Sequence, residues 1–273
     1  MKKVWLSNRG LTLLELLVIL MVLSLILTAA VKTWDVTLER ARYESTRHRL
    51  DQLVDVIIGD PDQTVNGQRV DFGYVGDVGL LPDGLVDLTT DPTGLPPDSS
   101  TWQGPYIRAT FDESPAMYRY DGWGDTLIYR PDTALAIRSL GGAGLVEPDR
   151  WLTREIGYSP RELLRNTVEG RMLDIRGLSP GQLVVDHPLR FPGAVLEMPV
   201  NGRLRTVVAS IDTAGRFVFA DTVPQGVRLL RVTYLSETAN GIDTIVAQRY
   251  VTVYPKVGAR DIDVHLDVNW ENE

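Results

Sequence analysis

The run from Leu11 to Val31 constrains this chain most. It reads Leu-Thr-Leu-Leu-Glu, then Leu16 through Val31 without a charged residue. As a helix it is about 31 Å long at roughly 1.5 Å per residue, the thickness of the hydrocarbon core of a bilayer. Lys2, Lys3 and Arg9 precede it, and cationic flanks stay on the cytoplasmic side, so the remainder of the chain is expected to face outward.

Glu15 is the exception within the run. An ionised carboxylate there costs on the order of a few kcal/mol unless it is paired or reaches the interface. One reading lets Glu15 snorkel to the headgroups. Another begins at Gly10, where a short basic leader meets the apolar segment. A cut after Gly10 would free an amine on Leu11, a cation near neutral pH, which a neighbouring copy shifted along the helix can offer to Glu15.

Arg9-Gly10, an apolar residue, Thr12, two apolar residues and Glu15, followed by a long apolar helix, resembles the class III signal of type IV pilins and pseudopilins. The resemblance implies cleavage by a prepilin peptidase between Gly10 and Leu11 and methylation of the new N-terminus. It also implies a role for Glu15 and the Leu11 amine in subunit registration. The partners implied are that peptidase, other pilin or pseudopilin subunits, an inner-membrane assembly platform, and lipid before assembly. A secretory signal cut near Ala30, after Thr28-Ala29-Ala30, and an uncleaved anchor are the alternatives.

Beyond leader and span, about 240 of the 273 residues remain, enough for two modest domains. The net charge is −8, and loss of Lys2, Lys3 and Arg9 leaves 25 basic against 36 acidic side chains, or −11. That balance argues against a nucleic-acid partner, whose phosphates demand a basic patch. Cysteine is absent, which removes disulfides and thiolate metal sites.

After Lys32 the helical beat continues. Val36, Tyr43, Leu50 and Ile57 recur every seven residues, with Leu53 and Val54 thickening the stripe, while Glu39, Arg40, Glu44, Arg47 and Arg49 face water. No Gly or Pro interrupts residues 11–58, so one helix of about 70 Å is expected, ended by Gly59-Asp60-Pro61. A break near Lys32, with a separate amphipathic helix after it, is the other possibility. From Gly59 to Thr101, Gly and Pro recur so often that an irregular surface connector is expected.

Residues 59–148 read as a small head. Trp102-Gln103-Gly104-Pro105-Tyr106-Ile107 places an aromatic anchor beside a turn. The stretch from Tyr118 to Tyr129 is a turn and a strand, and Leu135 to Gly144 a strand ending in a glycine loop. Two or three short antiparallel strands with buried Trp are expected. Leu81-Pro82, Trp102 to Tyr106, Asp121 to Gly124 and Ser139 to Gly144, in that order, resemble the head of the major pseudopilin of type II secretion. There the final loop is acidic and helps hold calcium. Here only Glu147 and Asp149 remain in it, with Asp121 or Asp125 as further candidates, and structural turn carboxylates are the alternative to an ion.

Residues 149–170 read as a linker carrying one short helix, Ser159 to Arg165, with Ser at the N-cap and Pro at the first position. Residues 171–273 read as an antiparallel β-sandwich domain. Strands are expected at Arg171–Ile175, Gln182–Val185, Ala194–Met198, Arg205–Ile211, Arg216–Phe219, Arg228–Tyr234, Thr244–Val253 and Asp261–Val268. The order strand, Gly-Arg-Phe-x-Phe, x-Val-Pro-x-Gly, strand resembles the transthyretin-like modules that accompany carboxypeptidases. The whole is α+β: a long N-terminal helix, a small antiparallel head and an all-β sandwich.

His48, His187 and His265 fall in three separate segments. Asp261, Asp263, His265 and Asp267 share one strand face, either a cation site or the solvated face opposite Ile262, Val264, Leu266 and Val268. No His-x-x-x-His pair, nucleophile elbow or phosphate loop occurs. The expectation is a pilin-like filament subunit rather than an enzyme, with an inner-membrane-anchored periplasmic binding or enzymatic module as the alternative.

Overall fold

The computed structural model describes residues 13–107, 116–132, 135–238 and 241–273. Helix α1 (Leu13–Ile58) is continuous for 46 residues, and no break occurs at Lys32. Uninterrupted helix-compatible residues carry it through. Its end is fixed locally. Gly59 adopts φ +87°, and a Cβ there would lie 2.4 Å from Asp71 O and Phe72 Cα, so only glycine fits where the chain turns.

The heptad stripe divides in two. Leu50, Leu53, Val54 and Ile57 are buried, whereas Val36 and Tyr43 are exposed. Only the last third of α1 packs on the head, where each buried aliphatic side chain contributes about 1.5–3 kcal/mol.

The stretch expected as a surface connector instead supplies core. Asn66 and Gly67, both at positive φ, turn the two-residue strands β1 (Thr64–Val65) and β2 (Gln68–Arg69) into a small hairpin, the geometry that Asn-Gly favours. Helix α2 (Gly73–Val78) follows. Tyr74, Val75, Val78, Leu85 and Leu88 pack beneath α1, because glycines interrupt the helix signal without interrupting the apolar pattern. Strands β3 (Ile128–Arg130), β4 (Ala136–Ser139) and β5 (Leu152–Glu155) then form an antiparallel sheet in that order.

Strand β5 lies within the stretch read as a linker. Leu152, Ile156 and Leu163 from that stretch enter the head core. Helix α3 (Pro160–Leu164) has the expected cap: Ser159 Oγ accepts from Glu162 N, and Glu162 Oε2 accepts from Ser159 N at 2.8 Å.

The C-terminal part holds β6 (Asn166–Leu173), α4 (Leu183–Asp186), β7 (Gly193–Val200), β8 (Arg203–Ala209), β9 (Arg216–Val223), β10 (Gly226–Thr238), β11 (Gly241–Val253) and β12 (Ala259–His265). The sheet β11-β10-β7-β8 faces the sheet β12-β6-β9 across one core built from Leu196, Leu230, Tyr234, Met172, Phe217 and Val264, among others. Two expectations are corrected. The strand expected at Gln182–Val185 is instead the helical turn α4 (Leu183–Asp186), since an apolar run this short carries no decisive period. The pair β12–β6 is parallel, the other pairs antiparallel, because β6 and β12 come from opposite ends of this region and no hairpin constrains them.

Head and sandwich are joined by main-chain hydrogen bonds. Gly202 N donates to Val78 O at 2.8 Å, Thr101 N to Gly202 O at 2.9 Å, Gln225 N to Leu163 O at 2.8 Å and Lys256 N to Glu162 O at 2.9 Å. A Cβ on Gly79 would sit 2.1 Å from Pro199 O. Contact this close requires glycine and leaves no room for a flexible tether.

Candidate functional site

The segment with functional character is α1 and the clamp that holds it. Every residue from 13 to 41 is exposed. The most apolar stretch of α1 has a mean hydropathy of 2.7, and α1 is long and apolar enough to cross a membrane. Its hydroxyls are folded back on the backbone: Ser24 Oγ donates to Met21 O, Thr28 Oγ1 to Ser24 O, Thr33 Oγ1 to Ala29 O and Thr37 Oγ1 to Thr33 O, all at 2.8–2.9 Å. These internal bonds turn the hydroxyls inward, so that the uncharged stretch from Leu16 to Val31 offers an apolar surface, as lipid or a neighbouring helix requires. Glu15 is exposed, one turn into the described helix. Gly10 and Leu11 lie outside the described residues.

Gripping begins at Thr46, which is fully buried. Its hydroxyl donates to Arg42 O and accepts from Gly122 N, both at 2.8 Å. A Cβ on Gly122 would lie 2.5 Å from Arg42 O, so the turn presses directly on the helix backbone. Around this contact Arg49 donates to Tyr120 O, the Trp123 indole donates to Glu39 Oε2 at 2.9 Å, and Arg154 pairs with Asp51 at 2.8 Å. The surrounding ion pairs, Glu39 with Arg42 and Arg150, are solvent-exposed and worth little. The Thr46–Gly122 contact and the apolar stripe do the holding.

Asp121 builds the turn that clamps. Its Oδ1 accepts from Trp123 N and Asp125 N at 2.9 Å, and its Oδ2 accepts from Ser139 Oγ at 2.6 Å. Ser139 in turn accepts from Gly141 N at 3.1 Å. Both Asp121 oxygens are thus held by N–H and O–H donors, and Glu147 lies 4.0 Å from Arg150. Asp121, Asp125, Glu147 and Asp149 do not converge on one point, and no group of three or more metal-capable side chains occurs among the described residues.

At the far end of α1 a second cluster covers the last carbonyls. Buried Arg69 donates to Ile58 O and Gly59 O at 2.8 Å and lies 4.7 Å over the Phe72 ring. Gln225 Nε2, from the sandwich, donates to Ile58 O at 2.9 Å and Phe72 O at 3.2 Å. Arg228, buried, donates to Gly76 O at 2.9 Å, and its pKa is lowered to about 10 by burial. Burial likewise raises the Asp77 carboxyl to about 6, against the lowering effects of the Tyr106 hydrogen bond at 3.0 Å and of Arg228. Sequence reasoning missed this cluster. Its polar residues are scattered from Arg69 to Arg228, and only the Asn66-Gly67 turn signalled locally that the chain doubles back here.

The strand face of Asp261, Asp263, His265 and Asp267 is solvated, opposite buried Ile262, Val264, Leu266 and Val268. Asp263 pairs with Arg171 at 2.9 Å, and His265 Nδ1 lies 3.1 Å from Asp174 O. His48 sits on α1 near Gln52 at 3.0 Å, and His187 caps the end of α4. The structure does not bring the histidines together.

Compared with known proteins, residues 5–31 match the prokaryotic N-terminal methylation motif. The match spans Gly10, Leu11 and Glu15 and runs through the apolar half of α1. It places this chain among proteins with a prepilin-type N-terminus, a class III signal leading into an apolar helix. No curated protein matches the sequence. A crystal structure of a candidate carbohydrate binding protein from Pseudomonas aeruginosa is 14% identical, covers 37% of this chain and 88% of its own, and superposes with a TM-score of 0.24; a likeness at that score carries no weight here.

Proposed function

We propose that this chain is a pilin-like structural subunit of a type II secretion pseudopilus or type IV pilus-like filament, processed after Gly10 and assembled through α1. One observation carries the reading: a methylation motif over residues 5–31 leads into a helix that exposes every residue from 13 to 41. The apolar surface of its uncharged run, Leu16 to Val31, must be covered, first by lipid and, after extraction, by the helices of other subunits. Glu15 then meets the Leu11 amine of the adjoining copy. The ordered motifs of the head support the pseudopilin branch, and the sandwich supports a minor or decorated subunit, since about 100 further residues must sit outside a close-packed rod.

The test is the N-terminus of the protein purified from membranes of an organism possessing the peptidase. Mass spectrometry should find a chain starting at methylated Leu11. A chain starting at Met1 or Val31 would leave a permanent anchor or a secreted module instead. Glu15→Ala should be cleaved and inserted normally but absent from assembled filaments. Normal co-assembly of that variant would overturn the pairing role.

A further inference from the structure

Strand β11 ends its sheet, with β10 on one side and no strand on the other among the described residues. It pairs with β10 for thirteen residues without a register shift, from Gly241↔Thr238 to Val253↔Gly226, while β10 pairs with β7 only from Leu229 to Thr233. Most of the hairpin therefore projects beyond the sheet. From Gly241 to Tyr250 every residue is exposed except half-buried Ile245 and Ala247. Between Ile242 and Tyr250 there is no proline, glycine or bulge to blunt the edge. Long, regular, exposed edges of this kind are templates for another strand.

We infer that the outer edge of β11 pairs antiparallel with β11 of a second copy of this chain, about a two-fold axis at Val246. The Thr244 N–H, held by Asp243 Oδ1 at 2.8 Å, is not spent on β10, so the even-numbered residues direct their main-chain groups outward. With the axis at Val246, Thr244 meets Gln248 and Ile242 meets Tyr250 on the outer face. These are the most exposed apolar pair of the strand, at 69% and 73%. On the other face Ile245 meets Ala247 and Asp243 meets Arg249. Every residue finds its complement in the same segment, as an isologous contact requires, and the charges oppose across the strands. Moving the axis to Thr244 sets Asp243 against Ile245, and moving it to Gln248 sets it against Val253. Both leave the charges unmatched. Charge thus selects one register. Arg249 already donates to Asp263 O at 2.9 Å, and a guanidinium has donors for both.

The pairing does not depend on filament assembly, and the absence of native cysteine makes it directly testable. In the full-length chain in membranes, mild oxidation of Val246→Cys should give a cross-linked species of twice the chain mass. Thr244→Cys and Gln248→Cys should each give none alone, because the like positions lie roughly 13 Å apart, beyond disulfide reach. Co-expressed, those two variants should cross-link to each other. Asp243→Arg should abolish the Val246→Cys product, and Asp243→Arg with Arg249→Asp should restore it. No product at Val246→Cys, equal products at all three positions, or a product only with a chain of different mass would overturn the inference. The cysteine set decides this without the charge reversals, and melting curves show that each variant is folded.

Discussion

The Gln225 side-chain amide donates to the Ile58 carbonyl at 2.9 Å, joining the last turn of α1 to the β9–β10 turn of the sandwich. The same amide reaches Phe72 O. Gln225→Ala leaves these buried acceptors short of a donor, and should cost about 1–3 kcal/mol. Urea unfolding of the processed chain in detergent measures it, with Gln225→Glu as the variant that keeps the shape and loses the donors.

The Thr46–Gly122 contact gives a graded pair. Thr46→Val keeps the packing and removes the acceptor for the part-buried Gly122 N–H, at about 1–2 kcal/mol. Gly122→Ala should cost more, since its Cβ would lie 2.5 Å from Arg42 O and force the turn off the helix. An equal or smaller loss for Gly122→Ala would show that the turn does not bear on the helix as described.

Asp77 sets a pH dependence. Its folded pKa, about 6, stands above the unfolded value of 3.8, so between those values the folded chain holds a proton that the unfolded chain has lost. Stability contributed by this group is therefore greatest below pH 4, falls as pH rises from about 4 to 6, and is flat above. The loss is about 2–3 kcal/mol. Asp77→Asn, which keeps an acceptor for Tyr106, should raise the melting temperature at pH 7 and reduce the slope between pH 4 and 6.

Calcium should not alter stability. Asp121 is held by Trp123 N, Asp125 N and Ser139 Oγ, so melting curves in excess calcium and in chelator should coincide. Ser139→Ala should destabilise the chain equally in both. A calcium-dependent rise in melting temperature would reassign the loop.

The long helix was legible in the sequence because nothing between Leu13 and Ile58 opposes it. So were the Ser159 cap and most strands of the sandwich, whose alternation survives in the burial of β12. The connector from Gly59 to Thr101 was not legible. Its glycines mark close approaches, such as Gly59 to Asp71 and Gly79 to Pro199, rather than disorder, and a sequence does not say what a glycine approaches. Strand β5 was hidden for a similar reason: its outer residues Thr153, Arg154 and Glu155 are exposed and only Leu152 points inward. At the candidate site, the Glu15 segment announced itself through one charge in an apolar run. The clamp on Thr46 did not, because a threonine that accepts from a turn 76 residues away resembles any other helical threonine.

No glycine or proline interrupts α1 between Leu13 and Ile58, and its upper end is bound to head and sandwich alike. The molecule therefore has no joint along this axis. Traction on the N-terminal end would be passed on to the strands of the sandwich, and a machine of the kind proposed above, drawing the helix from a bilayer, would hoist the whole outer body with it, as a single load.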